Sequence, residues 1–428
     1  MTYSSKIAMA MAMVAIAVPA TAQRIPVGGS STNQKADPNA RIQETADTQE
    51  AKTDATTTTG RKVTVSREAS KAIVELQNAV NAKDAAAIPG KIAAALKVAK
   101  TSDDKFIIGS NQARAAVAAN DLAGLQAGLE LMAASGSGEA PVLSMNYADL
   151  GKRHIVAGNA AAGQAALEKA ISLDANNGAA MALLADQKAK GGDKAGSVAL
   201  LQKSFVAYRA SGKPVPEGNY KFATNLAYDA KLPAANVIAR EWVGAYPGPD
   251  SWRAAIQIYR GMNQPRGQQL VDLWRLARAN NAVKGEADYD SFLSALIAGG
   301  NLAEAKAVLA EAGRQSNVDM TKTQFKDHGV KASKAPARAA VDAQLKAATT
   351  GAALIKAGDQ LYGLGAYAEA AEAYRAAIAK GGDANLANLH LGMALARAGD
   401  KAGAQAALKA VTGEHAVVAQ YWLVYAGT

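Results

Sequence analysis

The sequence predicts an all-α chain, a solenoid of short helix–turn–helix repeats, and three observations carry that prediction. Alanine dominates while aromatics make up only 5% of the residues; alanine is the best helix former, and its small side chain lets helices approach closely. Short apolar segments at helical spacing are separated throughout by tight turns of small residues. A fixed period of 34 residues recurs in two separate places, which is the signature of a repeat architecture.

The first element is an export signal. Lys6 precedes an apolar stretch over Ile7–Val18, Pro19 interrupts it, and Ala20-Thr21-Ala22 supplies a small-x-small cleavage site before Gln23. The stretch is shorter than the about 20 residues a membrane-spanning helix needs. Cleavage would leave 428 − 22 = 406 residues, exported to the periplasm as the expected destination, or to the medium. Residues 23–64 follow as a Thr-rich tail with few large apolar side chains. It is too polar to offset its ordering entropy and is expected to be disordered. Helix is expected from Ser66, an N-cap, with Ile73, Leu76, Ala79 and Val80 on one face.

The repeat is legible residue by residue. Gly358, Leu361, Gly365, Ala370, Tyr374 and Ala377 recur as Gly392, Leu395, Gly399, Ala404, Leu408 and Val411, each offset by 392 − 358 = 34. Gly158-Asn159 recurs at the same interval as Gly192-Asp193, and Leu167 as Leu201. Tyr147-x-x-Leu150-Gly151-x-x-His154 and Ala370-x3-Tyr374 supply the two halves of a longer pattern. Weaker turns stand at Lys83-Asp84, Asn120-Asp121, Lys231-Leu232 and Gly300-Asn301, and Tyr220, Trp252 and Tyr289 begin further units. Together these resemble the tetratricopeptide repeat (TPR) family, with His154 where the family has a seam aromatic. The resemblance implies about nine units between 66 and 428 in a right-handed superhelical solenoid. In each unit a small residue in the first helix admits the second helix, and a left-handed residue ends the first.

Two stretches interrupt the pattern. Residues 212–219 are rich in Pro and Gly. Residues 319–338 hold Lys322, Lys326, Lys331, Lys334 and Arg338 with Pro336, and read as an exposed basic linker or partly helical hinge. An N-terminal array over 65–318 and a shorter C-terminal one over 339–428 are the expected domains. Trp242, Trp252 and Trp274 with Tyr246 and Tyr259 concentrate the aromatics; their helical spacing marks them as seam packing.

Chemistry is sparse. The absence of cysteine excludes disulfides, thiolate metal sites and a cysteine nucleophile. His154, His328, His390 and His415 show no metal-ligand spacing. His154 reads as packing and His390 as a partly exposed surface residue. Most carboxylates read as solvated helix faces. No nucleophile elbow, phosphate loop or dinucleotide fingerprint is present, so no catalytic, cofactor or metal residues are assigned and the chain is not expected to be an enzyme. Lys and Arg number 47 against 37 Asp and Glu, a net charge of +10, which favours acidic partners. Export argues against nucleic acid, and no second segment is apolar enough to span a membrane.

The expected function is a binding scaffold: an envelope adaptor holding a peptide or a partner's helix. The alternative is a binder of anionic polysaccharide or an anionic surface through basic patches. The resemblance places groove side chains at the second, fifth, ninth, twelfth and thirteenth positions of each unit. In two units these include Lys221, Asn225 and Tyr228, and Arg253, Gln257 and Arg260. A Lys followed four residues later by Asn resembles half of a carboxylate-binding pattern. Lys221, Asn225, Arg253 and Arg260 are therefore expected to line one concave groove and to take an acidic or C-terminal peptide segment.

Overall fold

A computed structural model describes residues 63–427. The export signal and nearly all of the Thr-rich tail lie outside the described residues. Within the described chain, twenty-one α-helices and one 3-10 turn follow one another, and no residue is in a strand. The chain divides into two compact units between Ala230 and Lys231.

The first unit holds α1 (Arg67–Asn81), α2 (Ile88–Val98), α3 (Ser102–Ala118), α4 (Leu122–Ser135), α5 (Ala140–Val156), α6 (Ala160–Leu173), α7 (Gly178–Lys190), α8 (Lys194–Ala210) and α9 (Glu217–Asp229). Each helix packs mainly on its sequence neighbours, as stacked helical hairpins do. Ser66 caps α1 as its sequence indicates, its hydroxyl accepting from Ala69 N at 3.2 Å. The same residue donates through N and Oγ to Asp104, both at 2.8 Å, and Lys100 N and Thr101 N donate to that carboxylate at 2.9 Å. One buried side chain thereby satisfies the exposed N–H groups at the starts of α1 and α3. Burial alone would raise the Asp104 pKa, but these four hydrogen bonds override it and hold the carboxyl at about 2.

The helix crossings depend on the small residues that the repeat places there. A Cβ on Gly151 would sit 2.7 Å from Leu167 Cγ, one on Gly358 2.6 Å from Tyr374 Cε1, and one on Gly392 2.4 Å from Leu408 Cγ. The turn residues adopt left-handed conformations not only at Gly158, Gly192, Gly365 and Gly399 but also at Lys83, Asn120 and Lys231, where φ is 53–56°. The motif imposes its turn even where the side chain resists it. Tyr147, Tyr220, Trp252 and Tyr289 are all buried in the seams, as are Trp242 and Trp274.

The second unit holds α10 (Ala234–Ala245), α11 (Pro249–Asn263), α12 (Gly267–Ala279), α13 (Gly285–Ala298), α14 (Leu302–Ala312), α15 (Thr323–Ala332), α16 (Arg338–Ala347), α17 (Gly351–Gly363), α18 (Tyr367–Ala379), α19 (Ala384–Ala398), α20 (Lys401–Lys409) and α21 (Ala416–Gly427). The stretch 319–338 lies inside this unit. Its middle is α15, anchored by the buried Phe325, His328 and Ala332, and Lys322 pairs with Glu286. The stretch is thus partly helical, and the apolar face of that helix packs on its neighbours.

Here the stack does not stay open. Seven consecutive residues of α12, Val271–Ala277, are buried, so this helix is covered on every side. Its own neighbours cover part of it. The returning C-terminal helices cover the rest: Trp422 Nε1 on α21 donates to Asp272 O at 3.2 Å, while its neighbour Tyr421 packs edge-on to Tyr259 of the adjoining α11 at 5.9 Å.

Candidate functional site

The six groove residues named from the sequence fall three in each unit. On α9, Lys221 is half-buried and pairs with Glu217 at 3.0 Å, while Asn225 and Tyr228 are exposed. Tyr220, Ala223 and Ala227 are buried on the other side of that helix, as the spacing requires. On α11, Arg253 binds Asp288 of α13 through Nε and Nη2 at 3.1 and 3.0 Å. Gln257, with its amide oxygen turned toward Arg253, accepts from that guanidinium at 3.3 Å. Arg260 reaches Ser291 at 3.4 Å and lies 4.5 Å above the Trp274 ring. Arg253, Gln257 and Arg260 thus share the face of α11 turned to α13, where Asp288 offsets one of the two charges.

The exposure of the groove positions differs along the chain. With Tyr147 as the fourth residue of its unit, the second and thirteenth are Met145 and Val156, which are 54% and 71% exposed. Tyr228 on α9 is 39% exposed. With Gly351 as the first residue of its unit, the fifth, ninth, twelfth and thirteenth are Ile355, Asp359, Tyr362 and Gly363, and all four are buried. A Cβ on Gly363 would stand 2.8 Å from Glu304 N, so α14 presses directly on this face.

What fills it is an ionic cluster centred on α12. Arg275, fully buried, binds Glu304 at 2.9 Å and Asp272 and Asp359 at 3.4 Å, and its guanidinium lies 4.5 Å above the Tyr362 ring. His390 bridges Asp272 at 3.1 Å through Nε2 and Asp359 at 3.0 Å through Nδ1. The Tyr374 hydroxyl donates to Asp359 at 2.9 Å. Burial alone would discharge His390; the carboxylates of Asp272 and Asp359 overcome it and hold its pKa up at about 10. Burial would likewise protonate Asp359, but the His390 charge and hydrogen bond, with help from Arg275 and Tyr374, hold its pKa down at about 2. His390 and Asp359 are therefore both charged at neutral pH, and Arg275 and His390 each stand against carboxylates, the condition under which buried charges persist.

This corrects two expectations. His390 is not a partly exposed surface residue; it is 1% exposed. Asp272, Glu304 and Asp359 are not solvated helix faces. One signal for His390 was present: Leu389, Leu391, Met393 and Ala394 surround it, and a helix apolar all round is a buried one. No comparable signal marks Asp272 and Arg275, whose i, i+3 spacing equals that of a surface pair.

The side chains of Arg275, Asp272, Glu304 and His390 are fully buried and that of Asp359 nearly so, and their pairing supplies cohesion. Among the described residues no group of His, Cys, Asp and Glu side chains is disposed to hold a metal ion, and no helix is long and apolar enough to cross a membrane. Outside the cluster, Arg278 extends the ionic chain toward the surface, binding Glu311 through Nε and Nη2 at 3.0 and 2.5 Å and standing 3.6 Å from Glu304.

No protein-family model matches the sequence, and no curated protein matches it significantly. Among solved structures, a chain of the Naa15/Naa10 complex bound to HypK-THB is similar to it at 13% identity and a TM-score of 0.26. The alignment covers 80% of this chain but only 63% of that one, so this chain spans less than two thirds of the length of the structure it matches.

Proposed function

We propose that the protein is an exported binding scaffold that holds a peptide segment of a partner protein on the first-helix face of its N-terminal unit. One observation carries the reading: Met145, Val156 and Tyr228, large side chains at groove positions of first helices, are exposed to water. Their apolar area, with Lys221 and Asn225 beside Tyr228, suits a segment that alternates apolar anchors with acidic or amide side chains. Burying such anchors supplies affinity at about 25 cal/mol per Å² of apolar surface, and the polar neighbours fix register. The acidic character of the partner follows from the basic balance of the chain and the Lys221–Asn225 spacing.

A photo-crosslinking residue at Met145 or Val156, introduced in the native host, tests this directly. A discrete protein adduct from these positions, and none from the exposed Val330 of α15, is the expected outcome. Equal labelling from all three, or none, would remove the reading. Salt-sensitive retention on an anionic polysaccharide with no protein adduct would support the surface-binding alternative instead. Intact mass of the recovered protein is expected to place its first residue at Gln23.

A further inference from the structure

Beside the buried cluster, the second unit contains a pocket of about 410 Å³ whose lining is almost wholly polar. Arg278 and Asn281 come from the end of α12, Glu311, Arg314 and Gln315 from the end of α14, and Arg397 from the end of α19. Two of the guanidinium groups are held in place. Arg278 is clamped by Glu311, and Arg397 donates to the Tyr367 hydroxyl at 3.1 Å while lying 5.0 Å above its ring. Arg314 is exposed and makes no ion pair among the described residues, though it is close enough to Tyr289 on the pocket wall to act on that hydroxyl's ionisation.

The charge count is unbalanced. Arg275, Arg278, Arg314, Arg397 and His390 give five positive charges; Asp272, Glu304, Glu311 and Asp359 give four negative ones. The buried part, Arg275 and His390 against Asp272, Glu304 and Asp359, is one negative charge over; of the three pocket guanidinium charges one offsets it and one offsets Glu311, so the single excess positive charge sits in the pocket. The carbonyl ends of three helices also point this way and would offset some of it. Backbone N–H groups of Asn280, Gly313 and Gly399 already occupy part of those carbonyls.

We propose that this pocket binds a small hydrophilic oxyanion, a phosphate or carboxylate group, between Arg278, Arg314 and Arg397, with the Asn281 and Gln315 amides as further donors. Planar guanidinium forks bind such groups through paired charge-assisted hydrogen bonds. The near absence of apolar lining excludes a greasy ligand, and the volume falls within the about 300–1,000 Å³ of small-molecule sites. The site is independent of the groove on the first unit, so either can fail without the other.

Titration calorimetry on the full chain, with inorganic phosphate and separately with succinate against a sodium chloride control of equal ionic strength, tests the proposal. Saturable binding of either anion above the control is expected. Phosphate alone identifies phosphate monoesters as the ligand class, and succinate alone identifies carboxylates. Arg314→Gln, which breaks no ion pair and should leave the helical circular dichroism unchanged, should weaken binding about tenfold, the value of one hydrogen bond to a charged group. Arg397→Gln should act in the same direction. No binding of either anion beyond the chloride control, or binding unaltered by Arg314→Gln in a folded protein, would overturn it.

Discussion

The two units use one repeat to opposite ends. In the first, helices pack on their sequence neighbours and leave Met145 and Val156 in water. In the second, the C-terminal repeats return over α12, and the same class of position, at Asp359 and Tyr362, is buried beneath the chain's own side chains. A helical repeat therefore does not by itself specify an open groove. Closing it is a matter of what the chain offers to fill the face. A groove that carries a carboxylate can be filled only by something that neutralises it, and here Arg275 and His390 do so.

The sharpest test of that contrast is Arg275→Met. It leaves the three buried carboxylates of Asp272, Glu304 and Asp359 with only His390 and Arg278 to offset them, and removing one member of a buried ion cluster typically costs about 3–5 kcal/mol. Chemical denaturation should show a loss of this size. Arg153→Met, which breaks a half-exposed i, i+4 pair with Asp149 in the first unit, should cost no more than about 1 kcal/mol. Similar losses for the two variants would mean that the closed face contributes no special cohesion.

Acidity separates the units next. His390, raised to about 10 from an ordinary 6.5, contributes stability that is complete below pH 6.5 and is lost as pH rises toward 10. Asp359, lowered to about 2, contributes stability present above its ordinary value and lost as pH falls toward 2. Asp104 in the first unit shares the acid limb, being held at about 2 as well; on the alkaline side that unit's shifts are those of Tyr147 and Tyr208, which burial raises above the ordinary 10 and so beyond the window of His390. Urea midpoints between pH 6.5 and 10 should fall in the wild type and flatten in His390→Gln. An alkaline limb that survives in the variant would assign it to other groups.

The smallest expected difference lies in the seams. Gly358→Ala drives a methyl against a Tyr374 ring that Asp359 holds in place, and overpacking of this kind costs about 1–3 kcal/mol. Gly151→Ala meets Leu167, an aliphatic side chain that can shift, and should cost less. Thermal unfolding of the pair checks the order; a larger loss at Gly151 would show that the open stack is the more rigid of the two.

Much of this architecture follows from local pattern. The 34-residue period, the small residues at the crossings, the cap at Ser66 and the turns at Lys83, Asn120 and Lys231 are all set within a few tens of residues, where helix geometry and hairpin stacking leave little choice. That Lys221 and Asn225 share one face of their helix, opposite Tyr220, Ala223 and Ala227, was legible in the same way, because a helix face is a local property. Whether such a face meets water could not. Asp359 and Arg275 are separated by 84 positions, His390 and Asp272 by 118, and Trp422 and Asp272 by 150. No periodicity links them, and an Asp-x-x-Arg pair on a helix has the same spelling on a surface as in a core. The sequence alone determined the helices, their pairing and their seams; only the tertiary structure decided which face stays open, because the return of the C-terminal helices changes the solvent around α12 without changing its pattern.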